Sequence, residues 1–421
     1  MKKYKLSMFN ITKEIENDLL IFNSLNRGIV LIENRFINDF NNIKLTGTTD
    51  NIELLNGLIK QEMVIENSIN EINRIKALDK LERYSTDNLS LVIATTFSCN
   101  FDCWYCYEKG LNNSFMTENI QNSISDFILS KSKTLNKIKI DWYGGEPLLN
   151  IKAIEQISEN ILSNISKDIT FEASIISNGY LLNKEVAKKL AKYHVKKAQI
   201  TLDGTKKIHD KNRPHINGKG SFDKIIQNIK EINDIINVIV RVNLDKNNVN
   251  YFDNLLDYLE EEGLKDKIFI YFSIIKDPNP INEQLCYKTT EVSDLEINLM
   301  RKIMKRKFKL ATSLLEGNGY CTGMNNNFYI IDPAGDLYKC PMQIGKKEDS
   351  IGNIIKGIDF DKNAKWLAYD YFLDSKCKEC NLLPLCRGGC PSEKMKNNSN
   401  DCFTFKYNIK ERLNLFFESL S

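Results

Sequence analysis

At 421 residues the chain is long enough for two or three domains with ample core, and its 42% hydrophobic and 27% charged residues are those of an ordinary globular protein. Basic and acidic side chains nearly cancel (58 against 55, formal net charge +3), which argues against a dominant field for nucleic acid or an anionic membrane. No apolar run nears the ~20 residues that span a bilayer, and Met1 to Asn10 lack an apolar stretch behind the lysines, so a cytoplasmic chain without a signal peptide is expected.

Eleven cysteines stand against only three histidines, His194, His209 and His215. In a reducing compartment thiols stay out of disulfides, so metal ligation is their expected use. A thiolate-dominated donor set favours iron–sulfur clusters or zinc over a histidine-rich site.

Residues 1–86 read as a small α+β domain, with strands over Tyr4–Phe9 and Ile29–Ile37 and helices over Asn51–Met63 and Glu66–Ala77. From residue 87 apolar strands alternate with amphipathic helices. Strands are expected at Leu89–Thr96, Ile138–Tyr143, Thr170–Ser177, Ala198–Asp203, Val238–Asn243 and Ile268–Ile275. Helices are expected at Thr117–Leu135, Ile151–Ile165, Lys184–Tyr193, Phe222–Ile235 and Asn250–Glu262. Six βα units in series predict an α/β fold, a partial (β/α)6 TIM-like barrel over 87–282, with its active site at the C-terminal ends of the strands. Residues 293–316 read as a basic helix, either a solvated face or a docking surface for an acidic peptide. It belongs to a region over 283–405 that ends in a cysteine-dense segment, and an amphipathic helix over 406–421 follows.

The first expected barrel strand runs into Cys99-Asn-Phe-Asp-Cys103-Trp-Tyr-Cys106, a Cys-x3-Cys-x2-Cys spacing. Three thiolates this close can hold three corners of a four-iron four-sulfur cluster and leave the fourth iron open to another ligand. Gly144-Gly145-Glu146-Pro147 follows the second strand, with glycines that admit close backbone approach and a carboxylate suited to an ammonium group. Ser177-Asn178-Gly179 ends the third strand and Thr201-Leu202-Asp203-Gly204 the fourth. His209-Asp-Lys-Asn-Arg213 comes next, and Asn243 ends the fifth strand; the Arg213 fork suits a carboxylate. Any one of these tetrapeptides alone is a turn or a loop. Their joint occurrence, each at an expected strand end, carries the weight.

In this order the segments resemble the radical SAM superfamily, whose members cleave S-adenosylmethionine (SAM) to a 5′-deoxyadenosyl radical. The resemblance implies that Cys99, Cys103 and Cys106 ligate the catalytic cluster, and that Gly144, Gly145 and Glu146 hold the SAM amino group. It implies that Ser177 and Asn178 lie near the ribose, that Thr201, Asp203 and Asn243 belong to the pocket, and that Arg213 pairs with the SAM carboxylate. Tyr105 would pack on the adenine, while Trp104 and Tyr107 receive no role.

The remaining cysteines follow a second pattern: Cys321, Cys340 with Gly335 between them, Cys377-x2-Cys380-x5-Cys386-x3-Cys390, and Cys402. Paired cysteines also build zinc ribbons. All seven positions, however, resemble the SPASM domain of radical SAM enzymes that modify peptides and proteins, and the combined resemblance covers about residues 87–405. It implies two auxiliary 4Fe-4S clusters, three clusters in all. Cys321, Cys340 and Cys390 would hold the first, and Cys377, Cys380, Cys386 and Cys402 the second. Cys286 fits neither and is expected to be a buried apolar residue. Seven cysteines leave two four-iron clusters one ligand short, an opening suited to a substrate thiolate unless a non-cysteine group or Cys286 fills it. Relatives that oxidise a sulfatase cysteine or serine to formylglycine place an eighth cysteine just before the Cys321 position, where residues 314–320 have none, and an Asp where this chain has Pro341.

The expectation is a radical SAM oxidoreductase of the sactipeptide type, maturing a ribosomally made, Cys-rich precursor peptide by thioether formation. Other products of the same core are a carbon–carbon cross-link, an epimerised residue or formylglycine. A non-catalytic iron–sulfur electron carrier stands outside catalysis, and the intact SAM motifs speak against it. The partners implied are the precursor peptide with its leader and an external one-electron donor such as flavodoxin or ferredoxin; residues 1–86 are either a structural extension or an element that holds the leader at a sheet edge. No nucleic acid and no membrane is expected.

Overall fold

The computed structural model describes residues 3–275, 287, 289–317, 319–397 and 402–420. Cys286 lies outside the described residues. The N-terminal part comprises β1 (Tyr4–Leu6), β2 (Asn10–Ile15), β3 (Asp18–Asn23), β4 (Ile29–Ile32), α1 (Ile37–Thr46), α2 (Ile52–Lys60), β5 (Val64–Glu66) and α3 (Glu71–Arg83). β2, β3 and β4 form an antiparallel sheet, and β1 pairs with β5. The expected strand over Ile29–Ile37 stops at Ile32, because Glu33-Asn34-Arg35 breaks the apolar alternation and a helix starts at Ile37. The expected helix over Glu66–Ala77 starts only at Glu71, where the Asn70 side chain accepts the Asn73 backbone N–H as a cap.

Six strands of the central sheet are parallel and lie in chain order: β6 (Asn88–Ala94), β7 (Lys137–Tyr143), β8 (Thr170–Ser177), β9 (Val195–Thr201), β10 (Asn237–Leu244) and β11 (Ile268–Ile274). Between them run α4 (Glu118–Lys131), α5 (Ile151–Asn164), α6 (Lys184–Lys192), α7 (Lys206–Asn212), α8 (Phe222–Ile232) and α9 (Phe252–Glu261). Side chains alternate across the sheet. Ile138, Ile140 and Trp142 of β7, Ile200 of β9 and Val238, Val240 and Val242 of β10 are fully buried, in one core with Ile154, Leu190, Ile225 and Ile229 of the helices. The other face is polar and half-buried, with Asp141, Ser174, Gln199, Arg241 and Ser273. This is the α/β partial barrel that the six βα units predict.

Further strands extend both edges. β12 (Lys309–Leu310) adds to β11, β13 (Phe328–Ile331) adds in parallel to β6, and β14 (Leu337–Tyr338) turns back on β13. Helix α10 (Thr289–Lys305) is shorter than the basic helix expected over 293–316, since the chain turns through Lys307 (φ 59°) into β12. Its basic side chains meet acids on α9: Lys302 lies 2.5 Å from Asp253, and Arg306 2.9 Å from Asp257. The run is therefore a paired surface between two helices, worth little to stability individually.

The rest of the chain is β15 (Gly352–Asn353), β16 (Gly357–Ile358), α11 (Phe360–Leu367), α12 (Ser375–Lys378), α13 (Leu383–Cys386), α14 (Pro391–Asn397) and α15 (Phe405–Glu418). It shares cores with the N-terminal part. Ile11, Leu20 and Phe22 cluster with Leu382, Leu385, Ile409 and Leu413, while Phe9 and Ile75 cluster with Met324, Tyr371 and Leu383. Among the described residues no helix is long and apolar enough to cross a membrane.

Candidate active site at the strand ends

After β6 the chain passes through Thr95–Ser98 into the cysteine loop. Cys103 is buried, and Cys99 and Cys106 are half-buried. Burial pushes the Cys99 thiol up to about 12 and the Cys103 thiol up to about 11, and also raises Cys106. Cys99 is raised further by both other thiols, and Cys103 by Cys106. Three soft donors whose ionisation is opposed only by their surroundings fit a cluster, whose irons supply the missing positive charge.

The Gly144–Glu146 turn supports this loop from the side of β7. The Gly145 N–H donates to the Thr96 carbonyl at 3.0 Å and the Glu146 N–H to the Ser98 carbonyl at 2.9 Å. A Cβ on Gly145 would lie 2.5 Å from the Ser98 carbonyl oxygen and 2.6 Å from that of Phe97. The approach that needs glycine is thus that of the cysteine loop itself. The Glu146 carboxylate is also tied to donors of its own chain. Its Oε1 accepts from the Leu148 N–H at 3.1 Å and the Ser177 hydroxyl at 2.9 Å, and its Oε2 from the Asn178 N–H at 2.8 Å. Burial lifts its pKa to about 7. Glu146 locks the ends of β7 and β8 together, and Asn178 Nδ2 carries the tie on to Asn100 Oδ1 of the cysteine loop at 2.7 Å.

The Tyr105 hydroxyl is the hub of the site. It donates to Asp203 Oδ2 at 2.6 Å and accepts from Arg213 Nη1 at 2.6 Å and Asn243 Nδ2 at 3.0 Å. Residues of three separate stretches, the cysteine loop, the 203–213 segment and β10, meet at this one oxygen. The hydroxyl, expected only to accompany a ring stacked on adenine, binds the pocket together, and the ring meets Trp104 edge-on at 5.4 Å. Burial raises Asp203 to about 6. Burial also works against the Arg213 charge, but Cys103, Tyr105 and Asp203 reverse this and hold its pKa well above the usual value. Asp203 Oδ1 and Arg213 Nε are buried without partners among the described residues. The hub therefore retains one acceptor and one donor, which fits a ligand bearing both hydroxyls and a carboxylate. Thr201 is buried on β9, in register with Arg241 of β10.

Sequence reasoning missed two residues that hold this pocket. The Asp203 backbone N–H donates to His209 Nδ1 at 3.3 Å, so the proton of the ring sits on Nε2. Nε2 donates to Ser221 Oγ at 3.1 Å, and that hydroxyl donates to the Arg213 carbonyl at 2.9 Å. Burial first, and then Arg213, keep His209 far below the usual imidazole range and neutral. His209 and Ser221 thus join the two ends of the segment that carries Asp203 and Arg213. The available signal is the pairing of a lone histidine with a serine before the apolar start of α8.

Beside Cys106, Glu108 is 7% exposed, with Oε1 unpartnered among the described residues, and burial raises its pKa from 4.5 to about 7. The folded state holds this proton more tightly than the unfolded chain does. Its contribution to stability is full below the ordinary carboxylate range and is lost as pH rises through about 7. Glu108→Gln is expected to change stability little at about pH 5 and to raise it by up to ~3 kcal/mol at about pH 8. Urea midpoints at the two pH values measure this; an equal shift at both would contradict it.

The seven C-terminal cysteines fall into two neighbourhoods. Burial pushes Cys321 up to about 11, with Cys340 and Cys390 adding to the rise, and Cys340 is raised by burial with Cys390 also near it. Cys386 is raised by burial, then by Cys402 and Cys380, while Cys377, up to about 11, feels Cys386. One neighbourhood thus holds three thiols and the other four. Lys406 Nζ lies 3.4 Å from Cys380 Sγ.

Residues 93–259 match the Radical SAM superfamily. The cysteine-type anaerobic sulfatase-maturating enzyme of Clostridium novyi is 29% identical over 357 residues, covering 76% of this chain and 94% of that enzyme. The radical SAM cyclopropyl synthase TigE of Paramaledivibacter caminithermalis is 23% identical over 434 residues, covering 90% of this chain and 88% of TigE. Among solved structures, native anSMEcpe with bound AdoMet and the Kp18Cys peptide superposes with a TM-score of 0.63 at 20% identity, over 79% of this chain and 98% of that one. Streptococcus suis SuiB bound to precursor peptide SuiA superposes with a TM-score of 0.55 at 16% identity, over 95% of this chain and 98% of that one. The cysteine loop, the Gly-Gly-Glu turn and the hub at the strand ends all lie within residues 93–259, the part of this chain that matches the Radical SAM superfamily.

Proposed function

We propose that this chain is a peptide maturase that joins a cysteine sulfur of a ribosomally made precursor peptide to a carbon, as a thioether. What supports this reading is that Cys340 and Cys390 add to the rise at Cys321, and Cys390 to that at Cys340, a set of three thiols among the described residues where a four-iron cluster takes four ligands. A substrate thiolate can complete it. Cys99, Cys103 and Cys106 would hold the catalytic cluster, and Cys377, Cys380, Cys386 and Cys402 the second auxiliary one. When bound, the catalytic cluster supplies the electron that cleaves SAM to methionine and a 5′-deoxyadenosyl radical.

The residues of the chain position the reactants. Arg213 and Asp203, linked through Tyr105, would hold the carboxylate and hydroxyls of SAM. The polar inner wall of the half-barrel accommodates an extended peptide. One peptide carbon gives up a hydrogen atom to the radical, and one thiol gives up a proton. The carbon–sulfur bond forms and one electron leaves to an iron–sulfur acceptor, so each link makes the peptide two hydrogens lighter.

Residues 1–86 are proposed to hold the leader of that peptide. Among the described residues β4 is hydrogen-bonded only to β3, and its Leu31 is 41% exposed, so the other edge can take an added strand. The likeness to SuiB, solved with its precursor peptide, reaches 95% of this chain against 79% for anSMEcpe, which agrees with a shared element outside the barrel. A flavodoxin or ferredoxin in the cytoplasm would supply electrons.

Formylglycine formation is the second reading, favoured by the 29% identity to the Clostridium novyi sulfatase-maturating enzyme. Pro341 after Cys340 and the missing eighth cysteine weigh against it. The test is mass spectrometry of a Cys-rich peptide encoded beside the gene, co-expressed with the enzyme, reduced and alkylated. Loss of two hydrogens per link with the linked cysteines unalkylated is expected. The same loss with every thiol alkylated would replace the thioether by a carbon–carbon link. An unchanged peptide, together with conversion of a cysteine in a sulfatase peptide, would establish the second reading.

A further inference from the structure

We infer that Asp79, on α3 of the N-terminal part, is a positioning residue for the two C-terminal cysteine neighbourhoods. This rests on reading those cysteines as cluster ligands. Asp79 is 2% exposed and accepts three hydrogen bonds: Oδ2 from Arg83 Nη1 at 3.1 Å, and Oδ1 from the Tyr371 hydroxyl at 2.6 Å and Arg387 Nη1 at 3.3 Å. Arg387 also reaches Glu82 at 2.9 Å, and Arg83 donates onward to the carbonyls of Leu367 and Tyr369 at 2.8 and 3.0 Å. A desolvated network of this kind stands or falls as a unit, because removing one charge strands the others.

The network ends on a bend that joins the two neighbourhoods. Arg387 directly follows Cys386, and Arg387, Gly388 and Gly389 all have positive φ, at 46°, 84° and 83°. Cys390, of the other neighbourhood, comes next. A Cβ on Gly388 would lie 2.2 Å from Tyr371 Cβ, so the bend is pressed against the tyrosine whose hydroxyl Asp79 holds. Arg387, a non-glycine residue in the left-handed region, is anchored there by its side chain. Asp79 therefore fixes both flanks of the turn that sets Cys386 relative to Cys390. The N-terminal part acts on the auxiliary centres in this way without supplying a ligand, so peptide bound to that part has a rigid path to them.

The test uses the full chain, reconstituted with iron and sulfide without oxygen. The wild type is expected to hold about twelve iron atoms. Asp79→Asn, which keeps the shape and removes the charge, is expected to lose about a third or more of them. In a Cys99→Ala/Cys103→Ala/Cys106→Ala background, its reduced auxiliary EPR signals should be broadened or lost. Asp79→Glu should recover part of the iron and of the spectrum, which a general packing defect would not allow. Tyr371→Phe, removing one hydroxyl, gives a milder change in the same direction if Asp79→Asn does not fold. Full iron and an unaltered auxiliary spectrum in Asp79→Asn and Tyr371→Phe would overturn the inference. About four irons in the wild type would instead overturn the cluster reading beneath it.

Discussion

Gly145→Ala is expected to strip iron from the SAM site while leaving the barrel folded. The added methyl would sit 2.5 Å from the Ser98 carbonyl oxygen and 2.6 Å from that of Phe97. Both are backbone atoms, so no flexible side-chain end can swing aside. The turn must withdraw, and the hydrogen bonds from Gly145 to Thr96 and from Glu146 to Ser98 break. Cys99 is the next residue, so the cysteine loop loses its support at its first ligand. The core side of β7 is untouched, with Ile138, Ile140 and Trp142 still buried under the helices. Iron analysis should show about four atoms fewer than in the wild type. Release of 5′-deoxyadenosine under reducing conditions should fall at least ~100-fold, with near-native circular dichroism. Normal iron content and SAM cleavage in this variant would mean that the loop does not rest on the turn.

The second large effect is expected at Arg213. Arg213→Gln removes the cation linked to Asp203 through the Tyr105 hydroxyl and leaves that buried carboxylate without its strongest compensating charge. Truncating one partner of a buried, hydrogen-bonded charge pair costs about 2–5 kcal/mol of binding, which corresponds to roughly a 30- to 5,000-fold loss of SAM affinity. Iron content should stay at the wild-type level, because the cysteine loop keeps its supports at Gly145 and Asn178. Tyr105→Phe keeps both charges and removes only the bridge, so its SAM affinity should fall between the two. Equilibrium binding of SAM to the loaded protein ranks the three. Wild-type affinity in Arg213→Gln would shift the anchor to Arg241, which stands 2.8 Å from Asn243 on the same strand.

The barrel is legible in the sequence because its strands and helices present apolar residues at clean periods of two and of about three and a half. Charged segments hide what packing rescues. The helix expected to end at Ala77 runs on to Arg83, where Asp79 and Arg83 pair in the interior. β2 and β3 go unseen because Thr12, Lys13 and Glu14 thin out the apolar residues along β2, and its partner lies across a two-residue turn without glycine. At the site the residue types and their meeting point are legible, but their directions are not. Gly145 and Glu146 are legible as a motif, but their hydrogen bonds to the cysteine loop and to β8 are not. His209 and Ser221 act through backbone atoms of other residues, and such contacts leave no mark in a motif.

The ladder in which residues 328–331 of β13 lie beside residues 90–93 of β6 has a consequence for assembly. On the ribosome β6 emerges early, and β7 soon covers one of its edges. The other edge, with the apolar run Leu-Ser-Leu-Val-Ile-Ala, stays open until residue 331 has left the exit tunnel. Open edges of this kind recruit foreign strands, and pairing over so long a sequence distance is slow. A chain truncated before β13 should therefore accumulate as aggregate rather than as a free half-barrel, however complete its SAM motifs. The C-terminal segment thus has a first task that precedes any metal, which is to seal the barrel's leading edge.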